Sequence, residues 1–246
     1  LGDVYKRQPR GPLGTCRLSD RSLARRISCS CTEYAEGMSD LELNARYLDE
    51  QVQESSVQFA ARRRALELGF RPVSPLAGRH LAGVAAMCRS RHILEIGGGI
   101  GTSALWLRRG APDANLTILE AGADHAAEAR RALLASGARP SQLRIISGAD
   151  TDVLARMSDA GYDLVVLADD APRFPARLQH ALRLIRNGGT IVALGAMRGS
   201  AVASPARRDR LTMDFRDIIS ELERHPDFVV SILPIEGGIL HLTKRS

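Results

Sequence analysis

The segment HILEIGGGIGTSALWL (residues 92–107) sets Gly97, Gly98, Gly99 and Gly101 between an apolar strand-like run and a helical run opening at Thr102-Ser103. Glycines let a backbone turn sharply and approach a ligand closely, and a helix start offers free N–H groups. The same loop also serves as an ordinary tight turn. A dinucleotide fingerprint starting at Gly97 requires glycine at 102, which is Thr102, and one starting at Gly99 requires it at 104, which is Ala104. The spacing present is Glu95-x-Gly97-x-Gly99-x-Gly101. At the end of the next strand stands Glu120, where an acid can accept from the two hydroxyls of a ribose or can be a solvated loop residue.

A second chemical signal is YDLVVLADDAPRF (residues 162–174), a buried strand that runs into Ala168, Asp169 and Asp170. Two carboxylates at the C-terminal end of a strand can hold a metal, accept from a cofactor's ammonium or adenine amino group, or cap the helix beginning near Pro172. Asp169, Asp170 and His80 are the candidate general bases, and Arg198 is a candidate for orienting an anionic acceptor. His92, His125, His180, His225 and His241 show no ligand spacing and no Ser/His/Asp arrangement.

Composition narrows the classes. The formal charge of +6 divides evenly: residues 1–37 hold seven Lys/Arg and four Asp/Glu, and the other 209 residues hold 27 and 24. No basic stripe interleaved with aromatics is visible, so nucleic acid is not an expected partner. No apolar run approaches the ~18 residues of a membrane span, and SLARRISCSC lacks the apolar core of a signal peptide. A cytoplasmic address without membrane association is therefore expected. Cys16, Cys29 and Cys31 precede the body and Cys88 lies within it, a pattern that makes neither a zinc site nor a disulfide framework.

The elements that must position these residues begin at Met38. Residues 1–37, rich in Arg, Ser, Gly and Pro and without periodicity, read as a disordered or non-native leader, with Met38 a plausible true start. One helical stretch is expected over 41–68, stopping at Gly69, and another over 76–89 after the extended RPVSP. The strands HILEIG, LTILE, LRIIS, YDLVVLA and GTIVALG then alternate with helices near 102–109, 123–136, 149–158 and 173–186. Alternation of this kind predicts a parallel sheet with helices on both faces. After a helix over 206–224, FVVSILPI and GILHLTK are joined only by Glu236-Gly237-Gly238. So short a connection forces a hairpin, and with it one antiparallel strand. Residues 38–246 read as one domain.

In order and spacing, ARRRALELG with PVSP, LEIGGGIGTSALWL, SGADTDVL, YDLVVLADDAPRFPARLQHALRLIRNGG, SPARRD and the hairpin resemble the class I S-adenosylmethionine-dependent methyltransferases. Within these, the small O-methyltransferases of the catechol and caffeoyl-CoA type are most similar, actinobacterial members above all. The resemblance implies an α/β, Rossmann-like methyltransferase fold with a seven-stranded, mostly parallel sheet and an antiparallel C-terminal hairpin strand. It implies S-adenosylmethionine as cofactor and a small-molecule hydroxyl or carboxyl acceptor. A homodimer, through the helix at 41–68, is the expected assembly. Glu95, Gly97, Gly99, Gly101 and Ser103 would hold the methionine end, with Val73 and Ser74 closing over it. Glu120 would bind the ribose, Ala149 and Asp150 would flank the adenine, and Ala168 and Asp169 would complete the set.

One departure is as informative as the match. The family pattern after the fourth strand is Asp-Ala-Asp-Lys, and gap-free alignment on Phe174, Ala181-Leu182 and Gly188-Gly189 sets Ala168 at the first metal-binding aspartate and Ala171 at the lysine. The fifth strand should end Ala-Asp-Asn, where this chain reads Ala193-Leu194-Gly195. The three family magnesium ligands are missing, and no metal is expected. The reading is a metal-independent O-methyltransferase; the alternative is a non-catalytic relative that binds S-adenosylmethionine or a protein partner.

Overall fold

The computed structural model describes residues 39–148, 150–168 and 171–246, with only the backbone described for Asp150 and Ala171. The expected leader, and Ala149, Asp169 and Asp170 with it, lie outside the described residues. Two units are distinguished along the chain, with the boundary between Leu43 and Asn44. In the first, Ser39 starts a helix by donating its N–H and its hydroxyl to Glu42 Oε2, both at 2.8 Å.

The helices are α1 (Asp40–Glu50), α2 (Ser56–Glu67), α3 (Pro75–Met87), α4 (Thr102–Gly110), α5 (Ala123–Ala135), α6 (Asp150–Ala155), α7 (Phe174–Leu184) and α8 (Arg210–Arg224). The strands are β1 (His92–Ile96), β2 (Asn115–Glu120), β3 (Leu143–Ser147), β4 (Tyr162–Leu167), β5 (Ile185–Ala193), β6 (Phe228–Leu233) and β7 (Ile239–Lys244). They form one sheet in the order β3-β2-β1-β4-β5-β7-β6. β1 to β5 pair in parallel, and β7 is antiparallel to both β5 and β6. The predicted hairpin thus places its second strand inside the sheet, between β5 and β6.

Strand side chains alternate faces, and two cores follow from that period. Ile93 of β1 and Leu164 and Val166 of β4 pack with Leu81 of α3, Trp106 of α4 and Leu133 of α5. Leu94, Ile96, Val165 and Leu167 pack on the other face with Leu154 of α6, Leu178 of α7 and Phe215 of α8. Near-continuous apolar runs such as LVVL are what a parallel sheet covered on both faces requires.

The expected helix over 41–68 is two helices. Ser55 accepts from Gln58 N at 3.3 Å while Gln58 Oε1 accepts from Ser55 N at 2.9 Å, so α2 begins with a reciprocal cap. The end at Gly69 stands: its φ is +79°, and Phe70 N donates to Ala65 O at 2.9 Å. The last helix starts at Arg210 rather than 206, because Asp209 accepts from Thr212 N at 3.1 Å and sets the cap there. Strand β5 begins at Ile185, well before GTIVALG, with a register shift against β4 around Gly188 (φ +72°).

Candidate active site at the switch point of the sheet

β1 leads to β2 on one side, whereas β4 returns to its other side, so the sheet order reverses beside β1. Ligands of open α/β sheets bind outside the carboxyl ends of the strands at such a point. Three strand ends converge there: Ala168 N donates to Ile96 O at 3.1 Å, and Leu194 N to Leu167 O at 2.9 Å.

The glycine loop is shaped by left-handed backbone at Gly97 (φ +77°), Gly99 (+53°) and Gly101 (+84°), and also at Ile100 (+54°). A β-branched residue is sterically disfavoured in that region, and Ile100 is buried. A Cβ at Gly98 would lie 2.4–2.7 Å from the Glu95 carboxyl, so a side chain there would displace that acid. Gly101 faces the opposite way, its Cβ position 3.0 Å from Ala129 Cα, and packs α4 against α5. The hydroxyls of Thr102 and Ser103 reach Gly98 O at 3.4 Å.

Around this loop is a cavity of ≈ 180 Å³, lined in part by Phe70, Val73, Gly97, Ser103, Ala168 and Glu236. Its size suits the reacting end of a ligand more than a whole cofactor. Gly98, Gly99, Thr102, Leu194 and Arg71 also line the cavity. Of the residues expected at the methionine end, Val73, Gly97, Gly99 and Ser103 line the cavity, as does Ala168. Ser74 instead caps α3 through Ala77 N at 3.3 Å and donates its own N–H to Glu236 Oε1 at 3.3 Å.

Glu95 and Glu120 lie beneath. Glu95 is fully buried, and neither carboxyl oxygen has a hydrogen-bond partner among the described residues; Ser103 lies alongside but its hydroxyl is directed to Gly98 O. Burial pushes Glu95 up to about 7, against the pull of Ser103. Glu120 is buried, with Oε1 unpartnered among the described residues; burial and then the Glu95 charge push it up to about 8, with Arg177 pulling down. Buried acceptors normally find donors. The ammonium and ribose hydroxyls of S-adenosylmethionine are donors of the kind these two acids lack, so the residues fit that cofactor.

The three positions where the family holds magnesium offer it no side-chain ligand here. Ala168 and Leu194 present only hydrocarbon to the cavity, Gly195 has no side chain, and magnesium demands oxygen ligands. Among the described residues, no three of His, Cys, Asp and Glu group together as a metal could use them.

Two expected participants are turned elsewhere. His80 Nε2 lies 2.8 Å from His241 Nε2, and neither ring lines the cavity. Arg198 donates to Asp209 at 3.0 Å and to Thr212 at 2.5 Å. Residues that sequence reasoning passed over include Phe70, whose ring lies 3.6 Å from the Cβ position of Gly99, Arg71, and Glu236. Arg177 was also missed: it is buried on α7, its guanidinium 3.1 Å from the Cβ position of Gly97. Its signal was present, because Phe174, Arg177, Leu178 and Ala181 share one buried helical stripe. A larger groove of ≈ 350 Å³ between α2 and α5 is mostly apolar. Its charged groups satisfy each other, Arg64 and Arg131 pairing with Glu128 at 3.4 and 2.9 Å.

Sheet order, switch-point cavity and glycine loop together define a Rossmann-like methyltransferase fold. The sequence model of the O-methyltransferase family matches residues 47–245. A Mycobacteroides abscessus protein named "Putative O-methyltransferase" is 32% identical over 208 residues, covering 84% of this chain and 96% of its own. A solved Corynebacterium glutamicum protein superposes with a TM-score of 0.78 at 24% identity, over 85% of this chain and 98% of that one. The O-methyltransferase TomG of Streptomyces achromogenes, involved in tomaymycin synthesis and solved in complex with SAM, gives 0.73 at 24% identity, over 85% and 100%. The two structures establish the fold; the family model and the relative establish membership. This chain belongs to the O-methyltransferase family.

Proposed function

We propose that the protein transfers a methyl group from S-adenosylmethionine to a hydroxyl or carboxyl oxygen of a small molecule, without a divalent metal. The observation that carries the cofactor assignment is the pair of buried, partner-poor carboxyls, Glu95 and Glu120, with Gly98 of the loop packed directly on Glu95. S-adenosylmethionine, when bound, supplies a methyl group on a sulfonium, already a strong electrophile. Glu95 would accept from its ammonium and Glu120 from its ribose, while Gly97 and Gly99 admit the backbone to close approach. Phe70 and Val73, which line the cavity, would exclude water from it. Positioning of this kind supplies up to ~7–11 kcal/mol of a barrier in favourable systems. Ala149, Asp150 and Asp169 are assigned to the cofactor by family resemblance.

We assign residues 38–246 to the methyltransferase domain and the chain to the cytoplasm as a homodimer. Among the described residues no helix is long and apolar enough to cross a membrane. The loss of side-chain oxygens at Ala168, Leu194 and Gly195 favours a second reading, a relative that binds the cofactor without turnover.

Calorimetric titration of S-adenosylmethionine into the full chain in EDTA, repeated with excess Mg²⁺, tests the site. Micromolar binding indifferent to Mg²⁺ is expected, followed by methylation of members of a phenol and carboxylic-acid panel in EDTA. A folded chain that binds no cofactor sinks the proposal. Binding without methylation of any acceptor leaves the second reading.

A further inference from the structure

We infer that Glu236 is the general base that deprotonates the acceptor, a task that a metal's acidification of the hydroxyl would otherwise lighten; this rests on the methyltransferase reading above. Glu236 is the one carboxylate among the described residues that line the cavity, whose wall also includes Ala168, Leu194, Val73 and Ser103. The turn between β6 and β7 brings it there and holds it firmly. Met197 N donates to Gly237 O at 2.8 Å and Ala196 N to Gly238 O at 2.9 Å, tying the turn to the chain just after β5. The Ser74 N–H donates to Oε1 at 3.3 Å, and Oε2 has no protein partner among the described residues.

The backbone makes the choice of residue informative. Glu236 has φ +51°, as left-handed as its neighbours Gly237 (+71°) and Gly238 (+96°). Glycine would sit there without strain, whereas a glutamate is disfavoured, and residues held in such conformations cluster at functional sites. The turn sets its one ionisable acid in the wall of a cavity where Ala168 and Leu194, the described residues just past β4 and β5, offer only hydrocarbon. His80 is engaged by His241 and Arg198 by Asp209, so neither competes for the task. Asp169 and Asp170, the bases expected from the sequence, are the rivals.

The step balances simply. Glu236 takes the proton of the acceptor O–H as an oxygen lone pair forms the new O–CH₃ bond. The electron pair of the breaking S–CH₃ bond returns to sulfur, which becomes a neutral thioether. The protonated Glu236 then releases its proton to solvent. A phenol of pKa ~10 is mostly protonated at neutral pH, so it needs this help; an acceptor already ionised does not.

The test measures turnover of the full chain in EDTA with a series of phenols of graded acidity. The wild type is compared with Glu236→Gln, which keeps an acceptor for Ser74, and Glu236→Gly, which the left-handed backbone favours. Loss of a general base should lower kcat by ~10²–10⁴-fold on weakly acidic phenols, with S-adenosylmethionine affinity unchanged. The loss should shrink toward none on phenols ionised at the assay pH. Wild-type turnover in both variants, or an equal loss across the whole series, overturns the assignment. Loss of the acidity-dependent rate in Asp169→Asn or Asp170→Asn alone also overturns it, in favour of that aspartate. A wild-type chain that neither binds S-adenosylmethionine nor methylates any acceptor overturns this inference and the methyltransferase reading together.

Discussion

Glu95 and Glu120 bury their carboxyl groups at the same end of adjacent parallel strands, and the charge on Glu95 helps raise the pKa of Glu120. Both are protonated more readily in the folded chain, at about 7 and about 8, than in the unfolded one. Between roughly pH 4.5 and 8 the native state therefore holds protons that the unfolded state has released, and stability falls as pH rises through that window. A tenfold difference in proton affinity between the two states is worth ~1.4 kcal/mol. Glu95→Gln or Glu120→Gln should thus stabilise the cofactor-free protein by on the order of 3 kcal/mol at about pH 8, with little effect where the unfolded carboxyls are also protonated. Urea melts at about pH 8 and about pH 4 check this; a Gln variant no more stable than wild type at the higher pH contradicts it.

Asp163 works in the opposite direction. Its Oδ2 accepts from Arg91 N at 2.7 Å and His92 N at 2.8 Å, pinning the start of β1 to β4. Burial pushes its pKa up, but Arg186 and the two backbone N–H groups outweigh that and hold it below the usual carboxylate range. Its contribution is present above the unfolded pKa of ~3.9 and is lost as pH falls further. Asp163→Ala should cost about 1–3 kcal/mol at neutral pH. The difference from wild type should narrow at about pH 3, as read by chemical denaturation.

Gly78 of α3 and Trp106 of α4 pack too closely for any side chain. A Cβ on Gly78 would stand 2.3 Å from Trp106 Nε1 and 2.4 Å from Cδ1. In an exposed helix, Gly→Ala gains about 1 kcal/mol; here the sign should reverse, with a cost of about 1–3 kcal/mol from overpacking. Trp106 is the one tryptophan of the chain, so a change in intrinsic fluorescence should accompany the fall in Tm. A raised Tm in the Gly78→Ala variant would contradict the packing argument.

Much of this was legible beforehand because it rests on local chemistry. The strand and helix alternation, the hairpin at Glu236-Gly237-Gly238 and the glycine spacing after Ile96 each follow from residue type and short-range geometry. The break before α2 was readable too, since Ser55-x-x-Gln58 is a capping sequence, yet the helical run on either side concealed it. Arg177 was harder to see: a cation on an otherwise apolar stripe reads as a surface residue until the acid it faces, Glu120, is placed near it.

By itself the sequence determined the alternation of strands and helices, the closing hairpin and the inventory of groups, including the absence of side-chain oxygens at Ala168, Leu194 and Gly195, because identity and period need no coordinates. Only the tertiary structure decided which groups share the cavity. Glu236 meets Ser74 and shares a cavity with Ala168 because β7 inserts between β5 and β6, a long-range pairing that no local pattern encodes. The same packing withdraws His80 and Arg198 to other partners and shuts Glu95 away from water, so that burial rather than residue type sets its protonation.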